Sequence, residues 1–297
     1  MFTLTPDLKI TSLFNVKDKI VLVTGGSAGI GKMIASGFAH NGAKVYIASR
    51  KESQLQEAVA EINADLKKAG TSGYVSYIVA NVGSKAGCNS LIDEFKKRES
   101  KLHVLVNNSG ITWGGPYEDF PEDKGWDNVF NVNVKSIFYM TAGLTELLSK
   151  DSNNRDPGRV INISSTASID PRSEGALSRP GNGTWSYQPS KAAVNHLTSQ
   201  LALKLAPRHV TVNAILPGVF PSKMTAFGLQ TAGDATFVAN QPTGRYGSIE
   251  DMAGMSLFLA SPASSHVTGA HIMLDGGASI LYLSQVKGHS LHNQYRY

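Results

Sequence analysis

Apolar, β-branched runs alternate with segments of helical period along most of the chain. "KIVLVTGG" is followed by "KMIASGFAHNG", "AKVYIASR" by "SQLQEAVAEINADLKKAG", and "GYVSYIVANV" by "AGCNSLIDEFKKRES". "LHVLVNNSG", "GRVINISS", "VTVNAILPG" and "GAHIMLDGG" continue the strand series, separated by the helix-like "GWDNVFNVNVKSIFYMTAGLTELLSK" and by the segment after Tyr187. These strand runs are apolar throughout instead of at every second residue, so both faces of the sheet must be covered. Strands that alternate with helices must also run parallel. The predicted fold class is therefore α/β, a Rossmann-type doubly wound parallel sheet in a single domain. No linker, repeat or composition break divides it. The expected domain covers residues 19–278, with an N-terminal extension over 1–18 and a C-terminal tail over 279–297.

Bulk properties exclude several classes. The chain of 297 residues is 41% hydrophobic, enough for one large core. Its one cysteine, Cys88, excludes an internal disulfide and reads as a small buried or helix-surface residue. No basic stretch leads into an apolar run at the N-terminus, and no run reaches the ~18 apolar residues of a membrane span, so a cytoplasmic protein is expected. The net charge of +5 comes from scattered Lys and Arg, which argues for basic surface and an anionic cofactor over nucleic acid. The eight His are dispersed, with no H-E-x-x-H and no Cys-x-x-Cys, so no metal site is expected.

In "VLVTGGSAGIGKMIA" a buried strand runs into Gly25, Gly26, Gly29 and Gly31 and then a helix. Glycines there let the backbone turn sharply and approach a pyrophosphate, while the helix start supplies N–H groups and the positive end of a dipole. Gly25, Ser27, Gly29, Ile30 and Gly31 are thus the expected phosphate-binding turn. The next strand ends in Ser49, Arg50 and Lys51. A carboxylate at that place would accept hydrogen bonds from a ribose 2′-hydroxyl; a guanidinium grips a 2′-phosphate instead, which predicts NADP(H).

"WSYQPSKAA" sets Tyr187 and Lys191 four positions apart, on one face if the segment is helical. Pro189 fits a first helical turn, so the helix is expected to begin near Ser186 or Tyr187. Alone the pair says little, since 10 Tyr and 28 basic residues yield roughly 0.9 chance matches to Tyr-x-x-x-basic.

The Gly-rich turn, "NNSG" at 107–110, "VN" at 132–133, "NISS" at 162–165, Tyr187-x-x-x-Lys191 and "PG" at 217–218 together resemble the short-chain dehydrogenase/reductase family, in the family's order. Within it, "NNSGITWGGPYEDFPEDKGWDNVFNVNV", "PGVFPSKMT" and "TGRYGSIEDMAG" look most like reductases of the β-ketoacyl (3-oxoacyl-ACP) type, among them the rhamnolipid-pathway ketoreductases and fungal relatives. The resemblance implies Tyr187 as the acid in reduction and the base in oxidation. It implies Lys191 as the ammonium that favours phenolate and holds the nicotinamide ribose, with Ser165 as hydrogen-bond donor to the carbonyl oxygen. Asn133 would complete a water-linked proton path to Lys191. Ser164 is a rival for the serine role. Asn107, Ser109 and Gly110 would line the cofactor, as would Pro217, Gly218 and Val219, the last through a carboxamide contact.

Two departures from the family pattern stand out. Asn81, followed by Val82, occupies the place near the adenine where the family commonly has Asp; altered contacts with retained binding are expected. From Ser165 to Tyr187 the chain runs 22 positions, longer than is usual, through a Gly-, Pro- and Ser-rich loop expected to bulge over the substrate side. After "PG", a Gly-containing segment carrying Phe220, Met224, Phe227 and Phe237 reads as a lid whose apolar residues face the substrate, with Trp113 as a further aromatic wall. The expected function is NADPH-dependent reduction of a hydrophobic ketone, β-ketoacyl or related. The alternatives are a polyol or sugar dehydrogenase and a non-catalytic dinucleotide-binding scaffold. A homotetramer or homodimer built on the two long helices is expected.

Overall fold

The computed structural model describes residues 7–174, 178, 180–222, 225, 238–239 and 241–281. Seven parallel strands form one sheet: β1 (Ile20–Thr24), β2 (Lys44–Ser49), β3 (Tyr74–Val79), β4 (Val104–Asn107), β5 (Gly158–Ile163), β6 (Val210–Pro217) and β7 (His271–Leu274). Their spatial order is β3-β2-β1-β4-β5-β6-β7, so the winding direction reverses between β1 and β4. In open α/β sheets that reversal leaves a crevice beyond the carboxyl ends of the strands, where ligands bind.

Successive residues of the central strands feed two separate cores, which is why those strands read as unbroken apolar runs. Val21, Val23, Val45, Ile47, Val104, Val106 and Ile161 pack with Ile34 and Phe38 of α2 (Gly29–His40), Leu55 and Ile62 of α3 (Glu52–Ala69), and the Met252 and Leu259 side chains described below. Leu22, Tyr46, Leu105, Val160 and Val212 point the other way. There they meet Leu91 and Phe95 of α4 (Lys85–Arg98) and the inner face of a long helical rod.

That rod runs from a π turn at Glu122–Asp127 through α5 (Asn128–Phe130) and a second π turn at Asn131–Lys135 into α6 (Ser136–Ser149). Helix α7 spans Tyr187–Leu205, starting where the Pro189 argument placed it, and α8 spans Ile249–Ala260 with a Ser248/Asp251 capping box. Met252 and Leu259 of α8 join the first core. Residues 7–18 are not a free arm. They make a single turn, α1 (Ile10–Leu13), bury Val16, and donate Asp18 N–H to the Gly42 carbonyl at 3.0 Å.

The amino-terminal edge of the sheet holds a charged cluster of two buried cations and one half-exposed carboxylate. Lys19 Nζ lies 2.8 Å from Asp156 Oδ1, and Arg159 Nη2 lies 3.9 Å from the same oxygen. The Arg159 side chain is 1% exposed and donates to the carbonyls of Pro157 and Ser261. Burial pulls its guanidinium down to about 10, opposed by Asp156. The neighbouring His103 accepts the Ile20 N–H at 2.9 Å on Nδ1; burial, with the charges of Lys19 and Lys101, pushes it down to about 4.

Candidate active site

The turn after β1 and the turn after β4 are tied together at the crevice. Thr24 Oγ1 accepts the Asn108 and Ser109 N–H groups at 3.0 and 3.1 Å, while Asn108 Nδ2 donates to the Thr24 and Gly25 carbonyls at 2.9 and 3.1 Å. The fit is close enough to require glycine twice. Gly25 has φ +67, and a Cβ on Gly31 would lie 2.4 Å from both Asn108 Nδ2 and the Gly25 oxygen. Sequence reasoning placed Asn107 against the cofactor and passed over Asn108. Asn108 ties the two turns together, while Asn107 is buried and donates to Thr141 Oγ1 at 3.2 Å and Asn162 Oδ1 at 2.9 Å, within the core on the α6 side.

Helix α2 has Ala28 at its N-cap and so no side-chain cap, leaving the N–H groups of the Gly29–Ile30–Gly31 turn to an external acceptor. Ser27 borders that turn. At the end of β2, Ser49 Oγ is buried without a hydrogen-bond partner, and Arg50 and Lys51 are exposed, with no ion pair among the described residues. An orphaned hydroxyl, two free cations and an uncapped helix start make a donor set that fits a phosphorylated dinucleotide. Asn81 is exposed and spends Oδ1 on Gly83 N–H at 3.1 Å, keeping its Nδ2 donors; Val82 is buried and its carbonyl receives the Cys88 thiol. Pro217 ends β6, Gly218 N–H donates to Leu274 O at 3.0 Å, and the Val219 carbonyl accepts Gly247 N–H at 3.1 Å.

The candidate catalytic groups converge at the carboxyl ends of β4 and β5. Ser165 follows β5, its Oγ accepting the Ala167 N–H at 3.1 Å, and acts electrostatically on the Tyr187 hydroxyl. Lys191 is 4% exposed; its Nζ donates to the Ile163 carbonyl at 2.8 Å and lies 5.6 Å from the Tyr187 ring centre. Withdrawal from water raises the Tyr187 hydroxyl above its usual value while Ser165 opposes that, and burial pulls Lys191 down to about 8. A phenol, then, and not a phenolate, faces the cleft at neutral pH.

Of the two candidate serines, Ser164 is buried and donates to the Lys191 carbonyl at 3.1 Å. Asn133 lies in the second π turn and exchanges two 2.9 Å bonds with the Ile111 backbone, its Nδ2 also reaching Ser190 Oγ at 3.0 Å. Only the second lone pair of Oδ1 remains for a water. A Cβ on Gly110 would lie 3.5 Å from Lys191 Nζ and 3.6 Å from Asn133 Oδ1, so these two groups flank that glycine.

Sequence reasoning missed a brace behind Ser165. Asn195, one turn beyond Lys191, donates to Ser168 Oγ at 2.8 Å, and Ser168 donates to the Ser165 carbonyl at 2.6 Å. The lid expectation needs correction at Phe220, which is 2% exposed and packed in the first core against Gly247, where no side chain competes for the space. Met224, Phe227 and Phe237 lie outside the described residues, as does the tail beyond 281. Trp113 is 38% exposed. Among the described residues no helix is long and apolar enough to cross a membrane.

A family model described as enoyl-(acyl carrier protein) reductase matches residues 25–279. The rhamnolipids biosynthesis 3-oxoacyl-[acyl-carrier-protein] reductase of Pseudomonas aeruginosa is 37% identical over 268 residues, covering 89% of this chain and 97% of its own. The short-chain dehydrogenase/reductase PhomF of Diaporthe leptostromiformis is 31% identical, covering 93% and 96%. Among solved structures, the Pseudomonas aeruginosa RhlG/NADP active-site complex superposes with a TM-score of 0.81 at 36% identity, over 90% of this chain and 98% of that one. The chain belongs to the short-chain dehydrogenase/reductase family, and with it to the oxidoreductases.

Proposed function

We propose that this chain reduces a ketone of β-ketoacyl or related hydrophobic type to a secondary alcohol with NADPH. The observation that carries the reading is the convergence of Ser165, Tyr187 and Lys191 beside a Gly-rich crevice whose donors fit a phosphorylated dinucleotide. NADPH, when bound, supplies the hydride. Gly29, Ile30 and Gly31 would offer N–H groups to its pyrophosphate, and Ser49, Arg50 and Lys51 would hold the 2′-phosphate.

The residues of the chain handle oxygen and proton. As the carbonyl carbon is reduced, negative charge grows on its oxygen; Ser165 donates a hydrogen bond there and Tyr187 delivers its proton. Burial raises the Tyr187 hydroxyl, which keeps it in the protonated form that reduction requires. The Lys191 ammonium compensates the phenolate left behind, and Asn133 Oδ1 accepts a water that helps return the proton. Assembly into a homodimer or homotetramer through α6 and α7, and residence in the cytoplasm, belong to the same proposal.

The test follows consumption of NADPH with acetoacetyl-coenzyme A, ethyl acetoacetate and an aryl ketone, with crotonyl-coenzyme A as a carbon–carbon double-bond control and a polyol with NADP⁺ as the sugar-dehydrogenase control. Turnover of at least one ketone is expected, with Tyr187→Phe reducing it by ~10²–10⁴-fold, the span of general acid catalysis. Reduction of crotonyl-coenzyme A alone, or a Tyr187→Phe variant at the parental rate, would refute the reading.

A further inference from the structure

The loop that precedes Tyr187 is strapped down on the residues that immediately flank this side chain. Gly183 and Gly115 form an antiparallel bridge, with N–H···O distances of 3.1 and 2.8 Å. The Gly115 carbonyl takes a second donor, the Trp185 indole N–H at 3.0 Å, which occupies both of its lone pairs. The indole lies flat on Gly183, where an added Cβ would come within 2.5 Å of the ring, and it meets Tyr117 edge-on at 5.1 Å between ring centres. Thr184 N–H donates to Ser173 O at 2.8 Å, and Gln188 Nε2 to Arg172 O at 2.8 Å.

Ser186 is the most telling member. A serine at a helix N-cap ordinarily turns its oxygen inward to accept an N–H of the first turn, which stabilises the helix by about 1 kcal/mol. Ser186 occupies that position in α7, has helical backbone angles and makes no such bond. It is fully buried and donates outward to the Gly125 carbonyl, in the π turn that opens the helical rod leading to Asn133. The helix start forgoes its cap to be fixed to a neighbouring segment. Residues 183, 185 and 186 are tied to the 115–125 segment and residues 184 and 188 to Ser173 and Arg172 within the loop, and Tyr187 is the residue between them.

We propose that Trp185 and Ser186 are positioning residues, which lock the start of α7 onto the 115–125 segment and thereby fix the Tyr187 ring, whose centre lies 5.6 Å from Lys191 Nζ. The inference rests on the assignment of Tyr187 as the proton donor. The long insertion thereby acquires a definite role, since its last residues form a strap that sets the catalytic phenol.

Trp185→Phe keeps the ring and its Tyr117 contact but removes the N–H donor, and Ser186→Ala removes the tie to Gly125. With NADPH and whichever panel ketone the parent reduces fastest, each is expected to lower kcat by roughly tenfold or more, as misplacement of a reacting group by a fraction of an ångström does, while KM for NADPH stays within about twofold. Introduced into Tyr187→Phe, where no phenol remains to be misplaced, neither change should lower the residual rate further, measured as accumulated alcohol. Parental kcat in both single variants would overturn the inference while leaving Tyr187 in its role. So would an equal loss in the Tyr187→Phe background, since that would mark a general structural effect. A Tyr187→Phe enzyme as active as the parent would instead defeat the assignment of Tyr187, and the strap with it. Near-ultraviolet circular dichroism identifies any variant whose packing has failed, and the other variant then decides.

Discussion

The two ends of the sheet each bury a cation, and they treat it differently. At the amino-terminal edge, Arg159 and Lys19 share the Asp156 carboxylate, and Arg159 has two backbone carbonyls as well. At the carboxyl-terminal edge, Lys191 has one carbonyl, from Ile163, and no carboxylate among the described residues; nearby, Arg50 and Lys51 are also unpaired and Ser49 Oγ has no partner. Burying a charge without its counter-ion costs free energy that folding alone gives no reason to incur. A paired cation is part of the scaffold, whereas an unpaired one is kept for what it will later bind or stabilise.

Arg50→Asp probes the cofactor side of the unpaired end. It should lower kcat/KM with NADPH by ~100-fold, the worth of charge-assisted bonds to a phosphate, and affect NADH far less. An unchanged preference for NADPH over NADH in parallel assays would remove Arg50 from the site. Asp156→Asn tests the paired end. Leaving Lys19 and Arg159 without a counter-charge should cost about 1–3 kcal/mol in denaturant unfolding, moderated by the partial exposure of Asp156, with kcat/KM altered by less than about twofold. If activity fell in step with stability, the separation of the two ends would be wrong.

Two stability measurements, smaller in size, sharpen the contrast. Lys191→Met should abolish reduction yet raise stability by ~1 kcal/mol, since it removes an uncompensated buried charge at the cost of one carbonyl's partner. A lower melting temperature for that variant would mean that Lys191 is structural. At the opposite edge, folded His103 stays neutral down to about pH 4, whereas an unfolded histidine protonates near ~6.5. Its contribution is therefore complete above ~6.5 and is lost as the pH falls from there towards 4. The melting temperature should decline over that window, and His103→Asn, which can still accept the Ile20 N–H, should flatten the decline.

Much of this arrangement could be read from the sequence because it depends on local pattern. Uninterrupted runs such as "IVLVT" require cover on both faces, and the strand–glycine–helix succession around Gly25 to Gly31 allows few other conformations. Tyr187 and Lys191 are set side by side by helical period alone. What could not be read depends on the phase of the pleat or on distant partners. Asn107 and Asn108 are chemically identical neighbours, and only the register of β4 against β1 and β5 decides which faces the core. Phe220 looked like a lid residue until Gly247, far along the chain, proved to leave room for its ring. The strap joins glycines 115 and 183, and no local signal announces that pairing.

The pH dependence of ketone reduction tests the unpaired Lys191 most directly. If its ammonium compensates the charge left on Tyr187, kcat/KM should be level at neutral pH and fall as the pH rises through about 8, where Lys191 loses its proton. Lys191→Arg, which retains its charge, should move that fall to higher pH whatever its absolute rate. A parent profile that stays flat from neutral to well above 8, or a fall that Lys191→Arg leaves in place, would contradict the account.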